Sequence, residues 1–265
     1  MTRVLITGCS SGIGRASAVE LTKRGFEVVA TARSPQTLED LDVTDKIALD
    51  VTDDASIAAA VKAAGRIDVL INNAGFGVGG PIEKVPVEEV KRLYDTNVFG
   101  CVRMIQAVVP QMRERETGTV VNISSVAGRT SSPLGGYYSS SKFALEAISE
   151  ALHFEVRHFG IRVIVIEPGG FQSAINEKSP EPYGISDAPY NELAEVWEGA
   201  QDKLVPGESP GSEIAAQLIA DAIESDDPKL RWPIGDDAKL IVDTRDSMSF
   251  EDFEATMRAV LQLDW

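Results

Sequence analysis

Tyr138 and Lys142 stand four residues apart in the run Tyr138-Ser139-Ser140-Ser141-Lys142. On a helix that spacing places both side chains on one face, one turn apart. A phenol ordinarily gives up its proton only near pH ~10, and an adjacent ammonium favours the phenolate. The pair therefore reads as a tyrosine that can give or take a proton near neutral pH. Tyr137 is the competing phenol, but its own i+4 partner is Ser141, which brings no charge. The same spacing occurs on ordinary helix surfaces, so the reading needs further groups. Ser125 closes an apolar run ahead of the tyrosine. A hydroxyl there can hold a substrate oxygen in place, or it is a simple turn serine. Asn97 falls inside a helical stretch, within Thr96-Asn97-Val98, where asparagine is a poor helix former. That points to a kink, to a side chain with another task such as holding water, or to a tolerated exposed residue.

A second set of residues is suited to an anion. Gly8, Gly12 and Gly14 follow the first apolar run in Thr7-Gly8-Cys9-Ser10-Ser11-Gly12-Ile13-Gly14. Gly8 permits a turn with unusual φ, Gly12 lets backbone approach a bulky anion, and Gly14 lets the following helix sit close to a sheet. The free N–H groups and partial positive charge at that helix start would face a pyrophosphate. The plain alternative is a glycine-rich turn that binds nothing. The second strand ends Ala30-Thr31-Ala32-Arg33. A site for NAD wants an acid here for the ribose 2′-hydroxyl. With Ala32 and Arg33 in its place, a 2′-phosphate is favoured, with Arg33 pairing to it and stacking on adenine and Ser11 donating to it. NADP(H) rather than NAD(H) is the expected cofactor, with Arg15 as a second candidate cation.

These residues need a frame. Apolar runs at Arg3–Thr7, Phe26–Ala32, Lys46–Val51, Ile67–Asn72, Thr119–Ser124 and Ile161–Glu167 alternate with helical patterns at Gly12–Arg24, Asp53–Ala64, Val87–Arg113 and Tyr138–Phe159. Ile13, Ala16 and Val19, with Ala18 as a further option, form the apolar set of the first helix. Asp53 is placed as an N-cap, and Gly160 as a helix end. Fully apolar strands imply burial on both faces, hence an α/β fold with a mainly parallel, doubly wound sheet and helices on both sides. Right-handed crossovers then bring every strand C-terminus, and the ligand site, to one edge. Residues 170–211 break the alternation with several prolines and acids, while Tyr190, Leu193, Trp197, Ala200 and Leu204 make one helical stripe. The segment is either a substrate lid over the crevice or a packing or subunit surface. Helices near Ser212–Glu224 and Phe250–Leu263, with a strand near Leu230–Ile234, complete a single domain over residues 1–265.

Composition narrows the partners. The net charge of −16 argues against nucleic acid and anionic membrane surfaces, without excluding an anionic ligand in a local pocket. Cys9 and Cys101 cannot form a disulfide framework and read as reduced thiols. Val4-Leu5-Ile6 is too short for a signal-peptide core, and no run approaches a membrane span. A cytoplasmic protein is expected, which makes the sequon at Asn122 a chance match. His153 and His158 read as ordinary helix residues, and no Cys/His cluster has metal-ligand spacing.

Taken together, the motifs resemble those of the short-chain dehydrogenase/reductase family, in its single-domain subclass. Thr7–Gly14 matches TGxxxGxG, Asp50-Val51 the adenine-side acidic motif, and Asn72-Asn73-Ala74-Gly75 the NNAG motif. Asn97, Ser125, Tyr138 and Lys142 match the Asn-Ser-Tyr-Lys tetrad, and Pro168-Gly169 the PG after the sixth strand. The likeness is strong over about residues 1–175 and greatest to NADP-preferring 17β-hydroxysteroid dehydrogenase-like and retinol dehydrogenase-like members. It implies a Rossmann-type sheet of seven strands. It also implies Tyr138 as general acid or base, Lys142 as its electrostatic partner and ribose ligand, Ser125 as the group orienting the carbonyl or alcohol, and Asn97 as support for a water path to Lys142. The cofactor would meet Gly8, Ser10, Ser11, Gly12, Ile13, Gly14, Arg33, Asp50, Val51, Asn72, Ala74, Gly75, Pro168, Gly169 and Phe171. Ser173 stands where the family often has threonine and keeps the hydroxyl expected to meet the nicotinamide carboxamide. The substrate would be an apolar carbonyl or alcohol, and self-association as a homodimer or homotetramer through the helices at Val87–Arg113 and Tyr138–Phe159 is implied. A non-catalytic NADP-binding regulator on the same fold is the alternative, although such a protein has no need of Tyr138 and Lys142 together. A sugar-nucleotide epimerase or dehydratase is a third reading, disfavoured by the short chain and the absence of a large C-terminal substrate region.

Overall fold

The computed structural model describes residues 1–171, 179–186, 188–204 and 209–262. Ser173 and parts of the expected lid lie outside the described residues. Seven strands, β1 (Arg3–Ile6), β2 (Glu27–Ala32), β3 (Asp45–Ala48), β4 (Val69–Asn72), β5 (Gly118–Ile123), β6 (Ile161–Pro168) and β7 (Arg231–Ile234), form one sheet in the order β3-β2-β1-β4-β5-β6-β7. Every pairing is parallel. The helices are α1 (Gly12–Lys23), α2 (Asp54–Ala64), α3 (Val87–Tyr94), α4 (Cys101–Glu114), α5 (Gly136–Val156), α6 (Asn191–Leu204), α7 (Ser212–Glu224), α8 (Asp236–Asp246) and α9 (Phe250–Leu261).

Side chains alternate across the sheet, as the period of two requires. Val4 and Ile6 join a core with Ala18 and Leu21 of α1 and Ala215 and Ile219 of α7. Leu5 points the other way, into a core with Leu70, Met104, Val108 and Leu152. Burial on both faces is why the strands read as unbroken apolar runs. The chain leaves β1 outward to β2 and β3, then returns to β4 on the other side of β1. The crevice beyond the C-terminal ends of β1 and β4 is therefore the switch point of the sheet, where ligands bind in such folds.

Several expectations are corrected. The inward face of α1 is Gly14, Ser17, Ala18 and Leu21; Ile13 and Val19 are only partly buried. Small residues occupy that face because the helix lies close to the sheet. β3 ends at Ala48 rather than Val51, and Leu49 N–H turns to donate to Ala32 O. The long helix expected over Val87–Arg113 is two α-helices joined by a π-turn at Asp95–Gly100. α8 was not anticipated, because its residues are mostly charged and only Ala238 and Val242 are buried. Asp53 does cap α2, accepting from Ala55 N–H at 2.9 Å, and Gly160 does end the helical run after α5 with φ +68°. Among the described residues no helix is long and apolar enough to cross a membrane.

Leu70 is fully buried in β4, between β1 and β5. Leu70→Ala is expected to cost about 2–5 kcal/mol of stability. The check is the denaturant midpoint at unchanged slope, and a loss under about 1 kcal/mol would contradict this packing.

Candidate active site

The glycine turn is held from the neighbouring loop. Thr7 Oγ1 accepts from the N–H groups of Asn73 and Ala74, both at 2.9 Å. The Asn73 carboxamide donates back to Thr7 O at 2.9 Å and Gly8 O at 3.2 Å. That carboxamide fills the space at Gly14, where a Cβ would lie 2.3 Å from Asn73 Nδ2 and 2.6 Å from Gly8 O. Gly8 has φ +77°, and a Cβ on it would meet Ala74 Cα at 2.9 Å. The requirement at Gly14 is thus room for a carboxamide as well as close helix packing. The first turn of α1 carries no acidic residue, and Gly12, Ile13 and Gly14 line a cleft of about 910 Å³. A backbone cradle with open helix-start amides fits a phosphate-bearing ligand.

At one end of the cleft, Arg33 is exposed on the wall beside Ala32 and near Asp50 and Val51. Arg15, the second candidate cation, is instead paired with Asp40 and donates to Thr37 O. Asp50 accepts from the N–H and hydroxyl of Thr52 at 3.0 and 2.7 Å. Partial burial pushes the Asp50 carboxyl up, but those hydrogen bonds and the Arg33 charge outweigh it and hold the group below the usual carboxylate range.

At the other end, Tyr138 and Lys142 project from α5 into the same cleft as Ser125. The Lys142 ammonium is buried, donates to Ile123 O at 2.8 Å, and lies 5.7 Å from the Tyr138 ring centroid. Ser125 caps the short turn after β5. Its Oγ accepts from Ala127 N–H at 3.1 Å and lies 3.5 Å from Pro168 O. Asn97 sits on the π-turn behind the wall. Its carboxamide accepts from Phe76 N–H at 3.1 Å, donates to Phe76 O at 2.9 Å, and reaches Ser141 Oγ at 3.3 Å. It joins the loop after β4 to α5, and Asn97 is buried on a π-turn rather than exposed.

Below Tyr138 and Lys142, the same face of α5 carries Glu146 and Glu150. Arg231 of β7 binds both, at 3.0 and 2.6 Å. Arg129 bridges Glu167 at 3.1 Å and Asp246 at 2.7 Å. Complete burial, then the Glu146 charge, push the Glu167 carboxyl above the usual range despite Arg129.

The structure brings most of the expected residues to one cleft: Gly8, Ser10, Ser11, Gly12, Ile13 and Gly14 from the first turn, Arg33 just after β2, Asp50 and Val51 just after β3, and Ala74 and Gly75 after β4. Ser125, Tyr138, Lys142, Pro168, Gly169 and Phe171 form the other end. Asn72 is not on the wall. It is buried, and its amide donates to Asn122 Oδ1 at 2.9 Å. Asn73 takes the expected place at the cleft, because successive strand-end residues point to opposite sides. Sequence reasoning missed Thr52, Phe76, Arg92 and Gly170 on the wall. It also missed Asp237, which holds Gly170 N–H at 2.6 Å from outside. A glycine followed by two acids after the last strand was the available signal for Asp237.

A family model described as short chain dehydrogenase matches residues 2–184. The chain is 43% identical over 178 residues to the 3-ketodihydrosphingosine reductase of Bacteroides thetaiotaomicron, a match spanning 66% of this chain and 65% of that protein. It is 34% identical to human retinol dehydrogenase 8, over 86% of this chain and 79% of that one. The crystal structure of a short-chain dehydrogenase from Streptomyces avermitilis superposes with a TM-score of 0.85 and 36% identity, covering 100% of this chain and 99% of that chain.

Thr7→Val removes the oxygen that receives two backbone N–H groups. It is expected to cost about 1–3 kcal/mol, whereas Thr7→Ser keeps the acceptor and stays near the unmodified protein. Denaturant unfolding of the two variants checks this, and equal stabilities would refute the Thr7–Asn73 lock.

Proposed function

The chain belongs to the short-chain dehydrogenase family of oxidoreductases, and from that premise we propose that it is an NADP(H)-dependent enzyme interconverting a carbonyl and an alcohol on an apolar small molecule. One observation carries the reading: Tyr138, Lys142 and Ser125 share a cleft with the glycine cradle. When bound, the nicotinamide supplies or accepts the hydride, and the protein contributes the geometry.

The protein's part follows from its side chains. Ser125 Oγ, set between Ala127 N–H and Pro168 O, orients the substrate oxygen. Tyr138 exchanges a proton with that oxygen. The Lys142 ammonium, fixed on Ile123 O, stabilises negative charge developing on the phenol oxygen. Asn97 is a positioning residue, acting through Phe76 and Ser141. Asp50 and Val51 take the adenine side. Arg33, with Ser11, takes the 2′-phosphate, since Arg15 is engaged by Asp40. Pro168, Gly169 and Phe171 take the nicotinamide side.

The described part of the 170–211 segment is read as a substrate cover within one domain. Ser179 Oγ accepts from Gly77 N–H at 2.7 Å, Tyr183 N–H donates to Gly79 O at 3.0 Å, and α6 packs against α9. The name of the Bacteroides relative specifies a ketone on a long-chain base, which agrees with an apolar substrate. Exposed Phe99 on the π-turn before α4, with exposed Phe143 and Phe154 on α5, supports self-association. Two buried cysteines with no disulfide between them, Cys9 and Cys101, suit a reducing, cytoplasmic setting.

Tyr138→Phe is expected to abolish turnover across a panel of apolar ketones and aldehydes while leaving cofactor affinity unchanged. Loss of reduced-cofactor absorbance reads the first and calorimetry the second, and retained turnover would defeat the assignment. The unmodified protein should bind NADPH more tightly than NADH. Arg33→Asp should reverse that order, losing about tenfold or more toward NADPH. Tighter NADH binding by the unmodified protein would overturn the cofactor preference.

A further inference from the structure

The wall of the cleft beside Ser125 is the segment Gly169–Gly170–Phe171, and a residue outside the cleft holds it. Asp237, in the first turn of α8, accepts the Gly170 N–H on Oδ2 at 2.6 Å. Its carboxylate occupies a slot made by two glycines distant in sequence. A Cβ on Gly169 would lie 2.2 Å from Asp237 Oδ2, and one on Gly235 would lie 2.6 Å from Asp237 Oδ1. Gly235 has φ +97° and also meets the Phe171 ring, 3.4 Å from its Cβ position. The backbone beside the slot is tied independently, since Gly169 N–H donates to Ile234 O at 3.1 Å and β6 pairs with β7 up to Pro168 and Ile234. These contacts fix the strand ends, so Asp237 adds a specific restraint on the next peptide, where the chain leaves the sheet and enters the cleft wall.

From this geometry we infer that Asp237 is a positioning residue for the nicotinamide half of the cofactor site, acting through the Gly170 amide. The inference rests on the nicotinamide-dinucleotide reading of the cleft. A hydrogen bond to an ionised acceptor is stronger than a neutral one, and it holds Gly169, Gly170 and Phe171 in one arrangement before any ligand arrives. The adenine and phosphate portions of the cleft, at Arg33 and Gly8–Gly14, lie on other loops that Asp237 does not hold. The consequence is selective: loss of the carboxylate should weaken binding of the nicotinamide portion and spare the rest.

The test uses two ligands on the full chain by calorimetry: NADPH, and 2′-phospho-ADP-ribose, which is the same molecule without its nicotinamide. Asp237→Ala is expected to weaken NADPH about tenfold and to leave the affinity for 2′-phospho-ADP-ribose unchanged. Asp237→Asn keeps the size and an acceptor oxygen, so it should shift the ratio of the two affinities in the same direction by a smaller factor. It carries the test alone if the alanine variant does not fold. A general structural role would lower the unfolding temperature and change both affinities alike. Equal changes in both ligands, or an unchanged ratio in either folded variant, overturn the assignment. If the unmodified protein binds neither ligand, the cofactor reading falls and the inference falls with it.

Discussion

A buried ammonium is the constraint around which the site is arranged. Taking a charge out of water is costly unless hydrogen bonds and opposite charges offset it, and Lys142 is only 7% exposed. Its Nζ is held by Ile123 O at the end of β5, which fixes how far α5 can slide or rotate against the sheet. The stripe Tyr138, Lys142, Glu146 and Glu150 runs along one face of that helix at the i+4 spacing. Arg231 grips its lower half through both glutamates. With the stripe pinned at the strand-end carbonyl and at Arg231, Tyr138 at its upper end faces the cleft. The orientation of the phenol is thus a consequence of charge burial one turn away.

The loops around that helix are fixed by neutral groups. Thr7 and Asn73 exchange hydrogen bonds between the first turn and the loop after β4. Asn97 satisfies both backbone groups of Phe76 further along the same loop. Each side chain supplies partners for peptide groups that have left the sheet, which buried backbone requires. The π-turn gives Asn97 its place, since the widened turn at Asp95–Gly100 interrupts the regular α-helical succession between α3 and α4. Such turns are frequent at functional positions in helices. The charged stripe sets the helix, and these amides set the loops against it.

What the sequence disclosed follows the same division. The strands were legible because residues such as Val4, Leu5 and Ile6 are buried on both faces of a parallel sheet, which leaves an unbroken apolar run. The glycine turn was legible because its place between the first strand and first helix gives the spacing a meaning that three glycines alone lack. Tyr138 and Lys142 were legible from helical geometry. The features that escaped depend on partners far along the chain. Asn72 and Asn73 are chemically identical, and only the register of β4 decides which one reaches the cleft. Arg15 was the weaker candidate cation because its direction on the helix is not written in the sequence, and its partner Asp40 lies 25 residues away. α8 has only two buried residues, too few for a periodic pattern, and it is anchored instead by Asp237 on Gly170 and Asp246 on Arg129.

The overall charge and the local charge act over different distances. A net charge of −16 governs solubility and long-range encounter, not the fold. At physiological ionic strength its influence fades over about 8 Å, so a broad polyanion meets the field of the whole surface while a small anion entering the cleft meets the nearest groups. Those groups are mixed in sign and separated along the cleft. Arg33 is exposed beside Ala32, and Lys142 lies buried at the opposite end. Asp50, at the Arg33 end, is held below the usual carboxylate range by Thr52 and Arg33 despite its partial burial, with the acid-free first turn of α1 alongside. An acidic protein can therefore present an extended anion site with a built-in direction. That direction is set by which loop carries each charge, and the order of the strands determines where those loops stand.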